Sequence, residues 1–172
     1  MVGIVIIKAL YLFLPVYFAN MAPVLFKWLP FLNKPIHERW FGKNKTWRGL
    51  VVAVLFGIII FSFQKLAYNN GFTQWAVIDY LDFSVGFGAL LGFGAILGDL
   101  IESWLKRKAG IAPGKRWFPW DQLDFVFGGL LFMFFIYIPP AEIILTIIVF
   151  SPVLHIVVNR ISYYLRIRKV KW

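Results

Sequence analysis

The length of its apolar blocks limits the folding of this chain more than any other feature. A helix needs about 20 apolar residues to cross the hydrocarbon core of a bilayer. The blocks cover residues 3–32, 49–67, 83–105, 121–138 and 141–161. A water-soluble domain of 172 residues, 60% of them hydrophobic, would leave too much apolar surface exposed. We therefore predict one all-α domain over residues 1–172, a polytopic membrane protein with about five transmembrane helices.

The distribution of charge predicts the orientation of these helices. Lysine and arginine gather in segments 33–48 and 106–120 and in the tail from residue 166, whereas segment 68–82 has two Asp and neither Lys nor Arg. Because basic connections stay on the cytoplasmic side, we predict an external N-terminus and a C-terminus in the cytoplasm, in the cytoplasmic membrane. Anionic lipid accounts for the net charge of +10 without a nucleic-acid partner. The absence of cysteine excludes disulfides and thiolate metal sites.

Proline and glycine predict the shape of two blocks. The first block contains Pro15 and Pro23 and is long for one span, so we expect a tilted or kinked helix, or a helix followed by an interfacial turn. The third block is rich in glycine, which permits close approach of neighbouring helices. Its glycines are Gly86, Gly88, Gly92, Gly94 and Gly98.

Acidic residues inside the third and fourth blocks are the strongest chemical signal. One set has the spacing i, i+3, i+4 and i+7, which places its members on one helical face. These residues are Asp99, Glu102, Ser103 and Lys106. Asp121 and Asp124 form a second pair at the start of the next block. A carboxylate inside a span costs on the order of 2.5–3.5 kcal/mol on insertion scales. Since a short loop joins the two blocks, we expect antiparallel neighbours whose acids face each other near the cytoplasmic surface.

Four oxygen ligands without cysteine or a nearby histidine predict a site for a hard cation, and Mg²⁺ is favoured. The predicted metal ligands are Asp99, Glu102, Asp121 and Asp124. The alternative is a buried ion network in which the first two acids pair with Lys106 and Arg107, while the other two cap the fourth helix. Capping alone does not explain acids one turn inside an apolar span.

Basic residues close to these acids predict a phosphate ligand. The cations of the second basic segment would suit a triphosphate and its pyrophosphate product. They are Lys106, Arg107, Lys115 and Arg116, although membrane anchoring is the competing interpretation of Arg116. The first loop contains FGKNKTWRG at residues 41–49, where Lys45, Thr46 and Arg48 could form a nucleotide cradle at the start of the second span. Trp47 could stack on a base.

The two histidines predict no further site. His155, in the last block, is interpreted as a structural intramembrane histidine, and no second histidine stands at metal-ligand spacing from His37. The chain contains no Ser-His-Asp set, nucleophile elbow or zincin motif.

Several of these segments resemble those of the CDP-diacylglycerol synthases, a family of membrane cytidylyltransferases. GDLIESWLKRKAGI at 98–111 resembles their GD-x-x-ES-x-x-KR-x-x-G-I segment, and KTWRG at 45–49 resembles their KTW-x-G segment. PWDQLD at 119–124 and YFANMAP at 17–23 are similar to the P-x-x-DQ-x-D and YxAN-x-x-P stretches of the archaeal branch, the CDP-archaeol synthases. The chain lacks the PGHGG loop of the diacylglycerol enzymes and has Asp-Gln at 121–122 where they have Asp-Arg, which favours the archaeal branch.

The resemblance implies that a lipid phosphate attacks the α-phosphoryl group of CTP, giving a CDP-lipid and pyrophosphate. The implied catalytic residues are Asp99, Asp121, Asp124 and Lys106, with the three aspartates on Mg²⁺ and Glu102 as a ligand or supporting residue. The implied nucleotide contacts are Lys45, Thr46, Trp47, Arg48, Ser103, Arg107 and Lys115. The lipid phosphate would enter laterally from the cytoplasmic leaflet, with its chains left in the bilayer. Ether or ester chains and the oligomeric state stay open.

Two functions from other classes compete with this one. A small cation transporter or channel would use the acids as an ion path, but its ionisable groups would be spread across the membrane depth, and here they gather at one face. A structural or assembly subunit, whose charges only set topology, would tolerate alanine at Asp99 and Asp124. Within the enzymes, a CDP-alcohol phosphotransferase would share substrates, but its DG-x-x-AR signature is missing.

Overall fold

The computed structural model describes residues 2–112 and 115–167, and within these ranges the chain is helical and has no β-strand. The α-helices are α1 Val2–Leu12, α2 Leu14–Leu25, α3 Glu38–Phe41, α4 Trp47–Asn69, α5 Gly86–Lys108, α6 Trp120–Phe134 and α7 Ala141–Tyr164. A 3-10 turn at Tyr80–Asp82 precedes α5. The all-α prediction is confirmed for the described residues.

Three helices, α4, α5 and α7, are long and apolar enough to cross a membrane. The pair α1 and α2 passes the same test together but is bent by 52°, as a broken span or a re-entrant loop would be. α6 has 15 residues, about 22 Å of helix, which is shorter than a full span. The described residues therefore contain three or four candidate spans, and the fifth stays a prediction.

Proline accounts for the shape of the first block. The bend lies at Phe13, and Pro15 follows in the first turn of α2, where its missing N–H leaves no helical hydrogen bond unmade. α2 ends at Leu25, so residues 26–32 of the predicted first span form turns and coil. Pro30 disfavours helical geometry at Leu29, so the helix does not resume there. The expected kink and the expected turn are both present.

Helix α5 extends three residues beyond the predicted end of its block. It continues to Lys108, so the basic residues expected to open a loop project from its last turn. Cations at a helix C-terminus interact favourably with the helix dipole. This extension places Lys106 on the same rigid element as the two acids that precede it.

Glycines bring α5 into direct contact with its neighbours on both sides. A Cβ at Gly92 would lie 2.6 Å from the carbonyl oxygen of Ala53 in α4. A Cβ at Gly98 would overlap the carbonyl oxygen of Asp124 in α6 and lie 3.2 Å from the Cα of Gly128. The close packing predicted from the third block is confirmed. Because Gly98 directly precedes Asp99, this contact also sets the distance between the acids of α5 and those of α6.

Candidate active site

A cavity of about 380 Å³ lies where the N-termini of α4 and α6 meet the C-terminus of α5. Among the described residues, its wall combines carboxylates, cations and neutral polar groups. The lining residues are Asn20, Phe41, Gly42, Lys43, Asn44, Lys45, Asp99, Glu102, Ser103, Lys106, Arg107, Lys115, Arg116, Asp121, Gln122, Asp124, His155 and Asn159. The two basic loops, predicted to lie on the same side, therefore meet at one site.

The four predicted metal ligands all line this cavity, as the helical spacing of the two acidic sets predicted. Glu102 is 7% exposed and the other three are partly buried. The Trp117 main-chain N–H donates to Asp121 Oδ2 at 2.7 Å, and the Phe125 N–H donates to Asp124 Oδ1 at 2.6 Å. These bonds fix the two aspartates of α6 at the edge of the cavity.

Two lysines neutralise part of this negative charge. Lys106 Nζ lies 2.9 Å from Glu102 Oε1 and also contacts Asp121 Oδ1, so it bridges α5 and α6. Lys45 Nζ lies 2.6 and 2.5 Å from the two oxygens of Asp99. Asp124 is not among the ion-paired carboxylates of the described chain. Three of the four carboxylates thus contact a lysine, and the two lysine charges offset two of the four negative charges.

These contacts contain part of the alternative ion network but differ from it elsewhere. Lys106 does pair with Glu102 as that network required, whereas Arg107 Nη1 donates to the Ile111 carbonyl at 2.5 Å. Neither aspartate of α6 caps that helix, whose N-cap position is Pro119. Over the described ranges, no three His, Cys, Asp or Glu side chains are already arranged around a metal position. The donor set itself, all oxygen and with residual negative charge, fits a hard divalent cation such as Mg²⁺.

The cations predicted to hold phosphates lie on the cavity wall beside the acids. Arg107, Lys115 and Arg116 all line it, and so does the predicted Ser103, which is 5% exposed. A triphosphate bound there would be surrounded by guanidinium and ammonium donors, the groups that pair most strongly with phosphate oxygens.

The first loop places one of its four predicted nucleotide-binding residues on the cavity wall. Lys45 lines the cavity, whereas Thr46, Trp47 and Arg48 lie outside its lining. Thr46 Oγ1 accepts the Gly49 N–H at 3.2 Å and so caps α4. Arg48 is buried and its Nη1 donates to the Leu29 carbonyl at 2.7 Å. Trp47 is 47% exposed.

The backbone of this loop explains how Lys45 reaches Asp99. The Ile36 N–H donates to the Lys45 carbonyl at 2.8 Å, and the Trp47 N–H donates to the Lys34 carbonyl at 3.2 Å. The loop segment after α2 thus pairs with the residues that enter α4. The Arg48 N–H donates to the Leu32 carbonyl at 2.9 Å, which continues this pairing at the start of α4.

Sequence reasoning did not assign four neutral polar residues of the helices to the site. Asn20, Gln122, His155 and Asn159 line it from α2, α6 and α7. The ring of His155 packs against Phe125 at 5.6 Å, as a structural intramembrane histidine would, and the residue also lines the cavity. The sequence does contain a signal for three of these residues. Asn20, His155 and Asn159 are polar side chains inside apolar blocks, and placing a polar side chain in a membrane span costs free energy, which is the argument that identified Asp99.

A second, almost wholly apolar groove of about 340 Å³ adjoins the cavity between α5 and α6. Its lining residues are Gly98, Ile101, Glu102, Leu105, Trp117, Trp120, Asp124, Phe127, Gly128 and Leu131. Glu102 and Asp124 therefore line both the polar cavity and the groove. Several of its apolar residues, including Leu131 at 53%, are exposed on the outer surface of the helices.

Comparison with known proteins decides the family. The family model described as CarS-like, CDP-archaeol synthase, matches residues 1–172. The chain belongs to the CDP-archaeol synthase family. It is 37% identical over 141 residues to the CDP-archaeol synthase of Methanospirillum hungatei, covering 78% of this chain and 82% of that one. It is 31% identical over 175 residues to the CDP-archaeol synthase of Pyrococcus furiosus, covering 97% and 98%.

The fold is shared with a solved structure as well. A protein described as an intramembrane enzyme for archaeal membrane lipids biosynthesis matches with a TM-score of 0.70 at 24% identity, covering 88% of this chain and 92% of that one. The resemblance to CDP-archaeol synthases inferred from the motifs is confirmed by the family match.

Proposed function

We propose that this chain transfers CMP from CTP to the phosphate of a lipid in the bilayer, giving a CDP-lipid and pyrophosphate. The observation that carries this proposal is the cavity itself, where four carboxylates and six Lys and Arg side chains of the described residues converge at one end of the helices. The family supports the same reaction, since its members are named for CDP-archaeol synthesis.

The reaction requires alignment and charge neutralisation but no protein nucleophile. An oxygen of the lipid phosphate forms a bond to the α-phosphorus of CTP, and the bond from that phosphorus to the bridging oxygen of the β-phosphate breaks. Pyrophosphate leaves with the electron pair of that bond. Lys106, Arg107 and Lys115 hold the phosphate oxygens and stabilise the negative charge that shifts onto pyrophosphate.

Mg²⁺ is part of this proposal. Asp99, Asp121 and Asp124 would hold it, with Glu102 as a further ligand or a support for the other carboxylates. When bound, the ion would help to neutralise the negative charge of the phosphates. Every proposed ligand is a carboxylate on the wall of the cavity that the cations share.

The family name favours a lipid phosphate of the archaeol type, with ether-linked isoprenoid chains, over phosphatidic acid. We propose that the headgroup reaches the cavity laterally and that one chain lies in the groove between α5 and α6. The shared residues Glu102 and Asp124 support this route, because there hydrocarbon-facing surface adjoins the carboxylates.

We propose five passes, with the bent pair as the first and α6 as the fourth, an external N-terminus and a site that faces the cytoplasm of the cell membrane. The convergence of both basic loops on one cavity supports this orientation. It also disfavours the cation pathway, since the buried charged side chains Arg48, Glu102 and Lys106 of the described chain all lie at this end.

Purified protein in lipid micelles is expected to move label from [α-³²P]CTP into an archaeol-type lipid phosphate, and label from [γ-³²P]CTP into pyrophosphate. EDTA should stop both. Thin-layer chromatography against a panel of ether and ester lipid phosphates measures the products and the preference. Transfer of the γ-label to lipid, or ion flux in liposomes without CTP dependence, would contradict the proposed reaction.

A larger side chain in the groove should weaken binding of the lipid phosphate without changing the binding of CTP. Leu131→Trp places a larger ring in the groove, and we expect the KM for the lipid phosphate to rise about fivefold, which corresponds to about 1 kcal/mol of binding, with the KM for CTP unchanged. Leu55→Trp, on a similarly exposed residue of α4, is the matched control. Equal effects of the two substitutions would count against the groove.

A further inference from the structure

Lys106 lies at the centre of the predicted metal site, on the same face as the acids. The residue is 9% exposed. Its ammonium group lies 2.9 Å from Glu102, one turn before it on α5, and contacts Asp121 on α6. It therefore occupies the space between two of the four predicted metal-ligand carboxylates, one on each helix.

Electrostatics explains why a cation stands there. Carboxylates of adjacent helices repel each other in a poorly solvated site, and an unpaired buried charge costs several kcal/mol. Lys106 offsets this repulsion and joins the two helices. Glu102 and Asp121 face each other because the glycine contact below them holds α5 and α6 close together.

A divalent ion and this ammonium cannot both lie between Glu102 and Asp121. We propose that Lys106 is the resident counter-ion of the metal-free site, that a divalent cation must displace it, and that the displaced ammonium then turns to the phosphates in the same cavity. This inference rests on the metal site of the proposed function. Arg107 and Lys115 already lie on the cavity wall, so the released ammonium would join existing phosphate-binding groups.

Lys106 is then a competitor of the metal as well as a ligand of the substrate. If Lys106 bound only phosphate, its removal would leave the affinity of the nucleotide-free protein for metal unchanged. If it is displaced by the ion, removal of its charge should strengthen metal binding, because the carboxylates become fully available and one positive charge is lost. The two roles therefore predict different results without CTP.

The test measures binding of Mn²⁺ to the purified full-length protein without nucleotide, by electron paramagnetic resonance of free Mn²⁺. Lys106→Gln should bind Mn²⁺ about tenfold more tightly than the unmodified chain, while incorporation of CTP falls. Lys106→Arg keeps the charge and should bind Mn²⁺ as the unmodified chain does. Lys108→Gln is the matched control, because that lysine lies over the Trp104 ring at 4.0 Å and outside the cavity lining.

Lys106→Met repeats the measurement with a side chain of similar length, in case glutamine destabilises the helix pair. Equal or weaker Mn²⁺ binding by the uncharged variants would overturn the counter-ion role and leave the metal site intact. Absence of Mn²⁺ binding to every form, with EDTA-resistant incorporation of CTP, would overturn the metal site of the proposed function and this inference with it.

Discussion

Asp124→Asn is expected to lower incorporation of CTP into lipid by at least about a thousandfold, equivalent to about 4 kcal/mol of transition-state stabilisation. The substitution removes one negative charge from the proposed metal site and preserves the shape of the side chain. Asp124 is the informative position because it is not among the ion-paired carboxylates, so no lysine loses its partner. Steady-state incorporation of [α-³²P]CTP measures the effect.

The matched control is Asp82→Asn, which removes an exposed carboxylate from the turn before α5, at the other end of that helix. It should retain normal turnover. Asp121→Asn should also abolish turnover while the protein still folds and purifies, although it also leaves Lys106 with one carboxylate. Near-normal activity of Asp124→Asn and Asp121→Asn would remove the metal assignment.

Gly98→Leu should separate α5 from α6 and destabilise the protein by about 3 kcal/mol or more. Even a single Cβ at this position would overlap the carbonyl oxygen of Asp124. Helices in a membrane associate largely through close packing of small residues, so the larger side chain removes the contact itself. Thermal unfolding in detergent, followed by size-exclusion chromatography, measures the loss.

Gly3→Leu is the matched control for that substitution, because a Cβ at Gly3 would meet nothing within 4 Å. It should leave the unfolding temperature unchanged. A stable Gly98→Leu protein with full activity would show that the distance between α5 and α6 does not determine the geometry of the site.

The acids could be found from the sequence because local rules were sufficient. Helical spacing placed Asp99 and Glu102 on one face, and a short loop made α5 and α6 neighbours, so the convergence with Asp121 and Asp124 followed. The same reasoning gave Lys106 a place on the acidic face, and the structure confirms that position.

The contacts of the first loop could not be found in this way. Lys45 and Asp99 are 54 residues apart, and their ion pair depends on the paired backbone between residues 34–36 and 45–47. A motif shows that Thr46 and Arg48 have a role but does not show which one. In the structure, Thr46 caps a helix and Arg48 binds a main-chain carbonyl.

The fold class could be predicted from the sequence, whereas the residues at which the helices end were harder to predict. Apolar length identified α4, α5 and α7, but composition alone ended the third block before Lys106, where the helix continues. His155 and Asn159 of α7 were missed because their role depends on which side of that helix faces the cavity, and the packing of α7 against α1 and α6 decides this.

The groove between α5 and α6 has a consequence for enzymology. Because its apolar wall is exposed on the outer surface of the helices, a substrate using it would arrive by diffusion within the lipid or detergent phase. Its effective concentration is then a mole fraction in the micelle, and adding detergent at constant bulk lipid dilutes it. Saturation curves for the lipid should therefore be plotted against its mole fraction in the micelle. Saturation curves for CTP should be plotted against its molar concentration in water.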